Sequence, residues 1–259
     1  MARGPHDPGA AVLGTRVHAV SLELCVERMV AWAMHAESRY VCACNAHSLV
    51  SARLDADFAR ALARADLCVP DGAPVAWRLR GRGFARQARV SGPDVMLRCC
   101  ARAAEAGLPV YFYGSTADRL GGLVLALRAR FPALRVAGAY APPFRSLSAA
   151  EDAQVQRAIA ESGARIVFVG LGCPKQEAWM LAHRDALPAV MLGAGAAFDF
   201  LAGAQPRAPL WMQRTGLEWR HRLCSEPRRL WRRYLITNTL FLAWSLRELL
   251  GGRTHGGES

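Results

Sequence analysis

Short apolar runs alternate along the chain with longer stretches in which apolar residues recur every three or four positions. The longer stretches read as amphipathic helices and the compact β-branched runs as buried strands. Val17–His35 predicts a first helix, with Leu22, Cys25, Val26, Met29, Val30 and Ala33 along one side and Ser21 as a cap candidate. Tyr40–Cys44 predicts a strand ending at Asn45, and His47–Ala65 a helix. Leu67–Val69 predicts a short strand ending at Pro70-Asp71-Gly72, and Gly92–Ala106 a helix. Val110–Tyr113 predicts a strand that stops at Gly114-Ser115-Thr116, where Ser115 or Thr116 would cap a helix running to Arg130. Arg135–Gly138, Ile166–Val169 and Ala189–Leu192 complete the strands, with helices over Ala149–Ser162 and Lys175–Ala186.

Strands that alternate with helices at this spacing imply βαβ units. The expected architecture is an α/β fold: a Rossmann-like, mainly parallel sheet flanked by helices. Ligands on such sheets gather at the carboxyl ends of the strands. The polar clusters at Asn45, Asp71, Gly114-Ser115 and Gly170–Gln176 all fall there.

The sharpest of these breaks is Ile166–Glu177, IVFVGLGCPKQE. Gly170 and Gly172 let backbone approach a phosphate or sugar closely, and Pro174 suits the start of a helix. Gln176 and Glu177 would project from a first turn whose free N–H groups favour an anion. Lys175 is the sole lysine of the chain, every other basic side chain of fixed charge being arginine. A compact ammonium at that position stands out against such a background.

Past residue 206 the pattern changes. Trp211, Trp219, Trp231, Tyr234, Phe241 and Trp244 are interleaved with arginines, which predicts two or three amphipathic helices broken at Pro227. The domain reading is a mobile N-terminus over 1–16, an α/β catalytic domain over 17–206, a helical appendage over 207–250 and a disordered tail over 251–259.

The 259 residues carry a formal net charge of +12, so an anionic partner is expected. The charge is concentrated late: ten arginines follow residue 206, against Glu218, Glu226, Glu248 and the terminal Glu258. With 52% hydrophobic residues the chain can fill a large core. Eight cysteines include the adjacent Cys99 and Cys100 and the same-strand Cys42 and Cys44, but no CxxC pair. They read as small buried hydrophobes rather than a disulfide framework. The N-terminus has no apolar signal core, and Tyr234–Leu246 is too short and too polar to cross a bilayer comfortably. A cytoplasmic protein is therefore expected.

The ordered segments NAHSLV, ADLCVPDGAPVAW, RVSGPDVM, VYFYGS, GLGCPKQE, GAGAAFDFLAG and RAPLWMQRTGLEWRHRLCSEPRRLWRRY resemble the WecG/TagA/CpsF glycosyltransferases, glycosyltransferase family 26. The likeness runs from about Val17 to Leu250. It implies transfer of a sugar from a UDP-sugar to a polyprenyl-diphosphate-linked saccharide at the inner membrane face, with inversion and without a metal or other cofactor. It also implies a role in exopolysaccharide, capsule or related envelope glycans, with N-acetylmannosamine, its uronic acid or glucose as donor sugars. By this resemblance Asp71 corresponds to the proposed base, Asn45 to the asparagine after the early strand, Arg89 to the arginine of the R-V-x-G segment and Gln176 to the loop glutamine. Some members carry threonine two residues before the asparagine, where this chain has Ala43.

Inverting transfer needs a base for the acceptor hydroxyl and cations or dipoles for the departing UDP. Asp71 meets the first need; its other reading is a cap for a helix starting at Pro74. Gly114, Ser115, Gly170, Gly172 and Lys175, with Asn45, Arg89 and Gln176, form the expected substrate set. Arg222, Arg229 and Arg232 share one helical side and are candidates for diphosphate contacts. The tail reads either as an attachment to an anionic membrane surface or as a helix set packed on the domain or a partner subunit. Self-association is left open. Asp55-Ala56-Asp57 imitates a metal-binding DxD but falls within the predicted helix, and no metal site is expected.

Two rivals belong to other classes. A nicotinamide-dependent oxidoreductase would need GxGxxG after the first strand, where Asn45-Ala46-His47 stands. A non-catalytic basic module binding membrane or nucleic acid would leave Asp71 and the 170–177 loop unexplained, and nucleic acid is not expected as a partner.

Overall fold

The computed structural model describes residues 8–203 and 207–251. A six-stranded sheet lies at the centre. Its strands are β3 (Arg39–Cys44), β4 (Leu67–Pro70), β5 (Val110–Gly114), β6 (Val136–Tyr140), β7 (Ile166–Gly170) and β8 (Val190–Gly193), in the spatial order β4-β3-β8-β7-β5-β6. Every neighbouring pair is parallel. The expected α/β architecture is therefore present, with strand positions within two residues of those read from the chain.

Parallel strands need cover on both faces, which explains why β4, β5, β7 and β8, and β3 after Arg39, are apolar. Val41, Phe112, Ile166, Phe168 and Leu192 point to one side, against α1 (Leu22–Met34), α5 (Gly92–Ala106), α6 (Ala117–Arg130) and α9 (Gly195–Leu201). Tyr40, Cys42, Tyr113, Val167 and Met191 point to the other. There they meet α2 (Ala46–Leu54), α3 (Ala56–Arg64), α4 (Ala73–Arg80), α7 (Ala149–Glu161) and α8 (Lys175–His183). Six cysteines are buried and none of the eight forms a disulfide, as their spacing implies.

Two expectations change. Val17 does not begin the first helix: Gly9–Val12 (β1) and Thr15–His18 (β2) form an antiparallel hairpin, within the segment expected to be mobile. Leu13 and Gly14 both take positive φ, the backbone that a tight two-residue hairpin turn demands. The hairpin is anchored where the backbone N–H of Cys68 donates to His18 Nδ1 at 2.9 Å. The predicted helix over 47–65 is two helices, because Asp55 turns extended and its carboxylate accepts from the N–H groups of Asp57 and Phe58. Asp favours that capping conformation over continuing a helix.

The tail follows its expected pattern of helices broken at Pro227. It forms α10 (Leu210–Thr215), α11 (Glu218–Ser225) and the long α12 (Pro227–Gly251), with Pro227 as the first residue of α12. α12 packs on α2 and buries Leu230, Thr237, Phe241 and Ser245. Glu248 then accepts from Arg78 at 2.7 Å and Arg82 at 3.2 Å, and Arg53 lies over the Trp244 ring. The appendage is thus pinned to the catalytic domain. On its other side Trp231, Leu235, Leu242, Leu246 and Leu249 are exposed at helical spacing, a second apolar stripe open to the outside.

Candidate active site

Four strand ends and the returning tail helices α10 and α11 build the site. β3 ends at Asn45, which caps α2: its Oδ1 accepts from Ser48 N–H at 3.1 Å and from Ser48 Oγ at 3.3 Å. β4, one strand over, ends at Asp71, whose N–H donates to the Cys44 carbonyl at 2.9 Å. Gly72 follows at φ +95 and serves as the N-cap of α4 without any side-chain cap bond. The Asp71 carboxylate is therefore not used as a helix cap and stands free for other chemistry.

Its surroundings define that chemistry. Burial pushes the Asp71 carboxyl up to about 6, and the nearby charge of Glu218 adds to the effect. Arg89, Arg222 and a hydrogen bond from Asn45 act in the opposite sense but are outweighed. Glu218 and Arg222 lie on α11, so the tail folds back over the strand ends. Arg89 is ion-paired with Glu218 and also reaches Gln213 of α10 at 3.4 Å. Arg207 joins Asp94 at 2.7 Å. Burial opposes ionisation of Asp94, yet Arg207, Ser91 and Arg89 hold it below the usual carboxylate range. The result is a cluster of alternating charge with Asp71 as the one carboxyl lifted toward neutrality.

The glycine-rich loops meet on the same edge of the sheet, at the ends of β7 and β5, three and four strands from β4. A Cβ on Gly114, which sits at φ +123, would lie 2.5 Å from the Gly170 carbonyl carbon, so β5 and β7 close tightly at their ends. Ser115 takes φ 61 and donates its N–H to the Gly170 carbonyl at 3.1 Å, while Thr116 caps α6. Gly172 is open at φ +80. Lys175 is exposed at the first position of α8. Gln176 turns inward: its Oε1 accepts from Gly195 N–H at 3.3 Å and its Nε2 donates to Glu177 Oε1 at 2.9 Å. The glutamine thereby ties the β7 loop to the turn after β8. Glu177 is 1% exposed, and burial raises its carboxyl.

Of the arginines expected from the tail, Arg222 reaches the Asp71 cluster, with its guanidinium 5.5 Å from the Phe200 ring centre. Arg232 is exposed and lies over the Trp231 ring at 5.8 Å, away from that cluster. The Arg229 side chain lies outside the described residues. Ala43 packs under the start of α5, where a Cβ on Gly92 would meet it at 3.5 Å. Asp55 and Asp57 serve α3 as cap and as partner of Arg60. Among the described residues no group of three or more His, Cys, Asp or Glu side chains is placed to hold a metal ion.

Glu218, Arg207 and Asp94 were not singled out from the chain. Glu218 did carry a signal, being one of few carboxylates in an arginine-rich segment, the same kind of oddity as Lys175. Its place beside Arg89 depends on the tail folding back, which periodicity does not reveal.

Over residues 10–255 the chain matches the family described as "Glycosyl transferase WecG/TagA/CpsF family". It is 32% identical over 182 residues to the N-acetylglucosaminyldiphosphoundecaprenol N-acetyl-beta-D-mannosaminyltransferase of Bacillus subtilis strain 168, covering 70% of this chain and 69% of that protein. The enzyme of the same name from Bacillus spizizenii strain W23 is 31% identical over 195 residues, covering 75% and 74%. On that match and those identities, the chain belongs to the WecG/TagA/CpsF family of glycosyltransferases.

Proposed function

We propose that the protein transfers a sugar from a UDP-sugar to a polyprenyl-diphosphate-linked saccharide with inversion, using Asp71 as general base. The two relatives are named for an acceptor of N-acetylglucosamine on diphosphoundecaprenol and for N-acetylmannosamine as the sugar moved. The same pair is the first choice here. The observation that carries the reading is the Asp71 carboxyl, free of capping duty and raised to about 6 among Asn45, Arg89, Glu218 and Arg222. A base with that pKa is ionised at neutral pH yet basic enough to accept a proton.

In this mechanism Asp71 takes the proton of the acceptor hydroxyl as its oxygen attacks the anomeric carbon. The bond to the UDP oxygen breaks on the opposite face, and the departing diphosphate keeps the electron pair. Arg222, with the open backbone turn at Gly170–Gly172, supplies positive potential for that charge. Gln176 acts by holding the two loops in register. Lys175 is exposed at the rim, where its ammonium can meet a donor phosphate.

The outer stripe of α12 supports peripheral attachment to a membrane surface. Exposed Trp231, Leu235, Leu242, Leu246 and Leu249 would enter the headgroup boundary, flanked by arginine. No helix of the described residues is long and apolar enough to cross a membrane.

The decisive experiment measures UDP release from a panel of UDP-sugars, with and without a lipid-diphosphate-linked N-acetylglucosamine, in the presence of EDTA. Acceptor-dependent release that survives EDTA and is lost in Asp71→Asn is the expected result. Release that needs a divalent cation, or that persists in the variant, would overturn the assigned chemistry.

A further inference from the structure

Beside the Asp71 cluster lies an open groove of about 490 Å³ between α4, the segment leading to Arg89 and the Gln213 edge of α10. Its volume falls in the range of small-molecule sites, ~300–1,000 Å³. The floor is apolar and shallow-chained, with Ala73, Ala76, Ala85 and Ala88, and Trp77 forms a wall while remaining 54% exposed. Tail and groove are joined closely: a Cβ on Gly216 would lie 2.7 Å from Ala73 and 3.5 Å from Trp77.

The arginines of this segment divide into two sets. Arg78 and Arg82 are held by Glu248, and Arg89 by Glu218. Arg80 and Arg86, which line the groove, have no carboxylate partner among the described residues. Asp94, the acid of the lining, is already neutralised by Arg207. The groove therefore presents two uncompensated guanidinium groups over an exposed apolar surface. That combination fits an amphiphilic anion carrying about two charges, and guanidinium forks match phosphate oxygens well.

We propose that this groove receives the acceptor's lipid diphosphate, with the phosphates on Arg80 and Arg86 and the first isoprenyl units over Trp77 and the alanine floor. The assignment rests on the acceptor class put forward above. Arg89 belongs both to the groove and to the Asp71 cluster, so a sugar extending from the anchored diphosphate is directed toward the base.

The test uses the full chain and a soluble acceptor, farnesyl-diphosphate-linked N-acetylglucosamine, with UDP-N-acetylmannosamine as donor. Arg80→Gln/Arg86→Gln should raise the acceptor KM ~10-fold or more, the worth of a charge-assisted contact, and leave the donor KM within about twofold. Trp77→Ala should weaken the farnesyl acceptor but not one bearing a short alkyl chain. An unchanged acceptor KM, or a rise confined to the donor KM, would overturn the assignment. Equilibrium binding of farnesyl diphosphate to wild type and to the double variant provides an arm free of turnover. If wild type transfers nothing yet binds farnesyl diphosphate through Arg80 and Arg86, the groove stands and the donor reading fails. If the double variant binds it as tightly as wild type, the groove is wrong whatever the activity.

Discussion

Arg89 and Glu218, 129 positions apart in the chain, are ion-paired at the edge of the Asp71 cluster. The pair joins the segment before α5 to the first turn of α11, so the charge around Asp71 is set partly by the appendage. Removing either partner should move Asp71 in opposite directions.

Glu218→Gln removes a negative charge from the vicinity of Asp71 and releases Arg89 to face it. Both changes favour the carboxylate, so the acid limb of the kcat/KM profile should shift below its wild-type midpoint near 6. Arg89→Ala should shift it upward. A pH–rate series on the three proteins checks the pair, and shifts of the same sign in both variants would refute the arrangement.

Asp71→Asn should lower turnover by ~10²–10⁴-fold, the usual worth of a positioned base. Stability should move the other way. A folded-state carboxyl raised to about 6 binds its proton more tightly than the unfolded chain, whose value is near 3.9. The native state therefore loses stability as pH rises from about 4 through 6, and that loss is complete at pH 7. The uncharged amide escapes it. A gain of ~1 kcal/mol, or a melting midpoint ~2–4 °C higher, is expected at pH 7 after discounting for partial solvent access. The gain should vanish at pH 4, which paired thermal melts would show.

Gly114→Ala should be costly because the new methyl would meet Gly170 backbone at 2.5 Å with φ held at +123. Neither obstacle can be relieved by turning a side chain. A loss of ~2–4 kcal/mol in urea unfolding is expected, whereas Gly121→Ala, at a position with open space around it, should stay close to wild type or gain slightly.

Leu235→Glu together with Leu242→Glu places charges on the outer stripe of α12 while sparing the buried Leu230, Thr237 and Phe241. Flotation with vesicles rich in anionic lipid should fall sharply, with circular dichroism and activity on a short-chain acceptor retained. Unchanged flotation would show that this stripe serves something other than a bilayer.

Much of the layout was legible because it rests on local rules. The apolar runs at Val110 and Ile166 could only be buried strands, and the polar breaks after them marked the ligand edge. The place of Asp71 just past a short buried strand was legible from the apolar run before it, while its proposed part as base came from the family resemblance. What escaped depended on competition between local options or on distant partners. Val17 lies in an apolar stretch compatible with helix or strand, and only the Leu13-Gly14 turn decides for a hairpin. Asp55 could have continued a helix, but its carboxylate offers two N–H groups a better partner. Gln176 was expected to face a ligand; its inward turn reflects Glu177 and Gly195, one of them 19 residues away. Arg222 and Arg232 share a periodicity, and tertiary packing alone separates their fates.

Glu248 connects the far end of α12 to Arg78 and Arg82, while Trp77 on the same α4 shapes the groove and Gly72 at its start follows the base. Helix, ion-pair cluster and strand end thus behave as one stiff bracket. A surface that takes up the outer stripe of α12 also sets the height at which Asp71 stands above it. On the proposed membrane attachment, reach along the acceptor would be a matter of fixed stand-off, with the sugar nearest the lipid presented to Asp71.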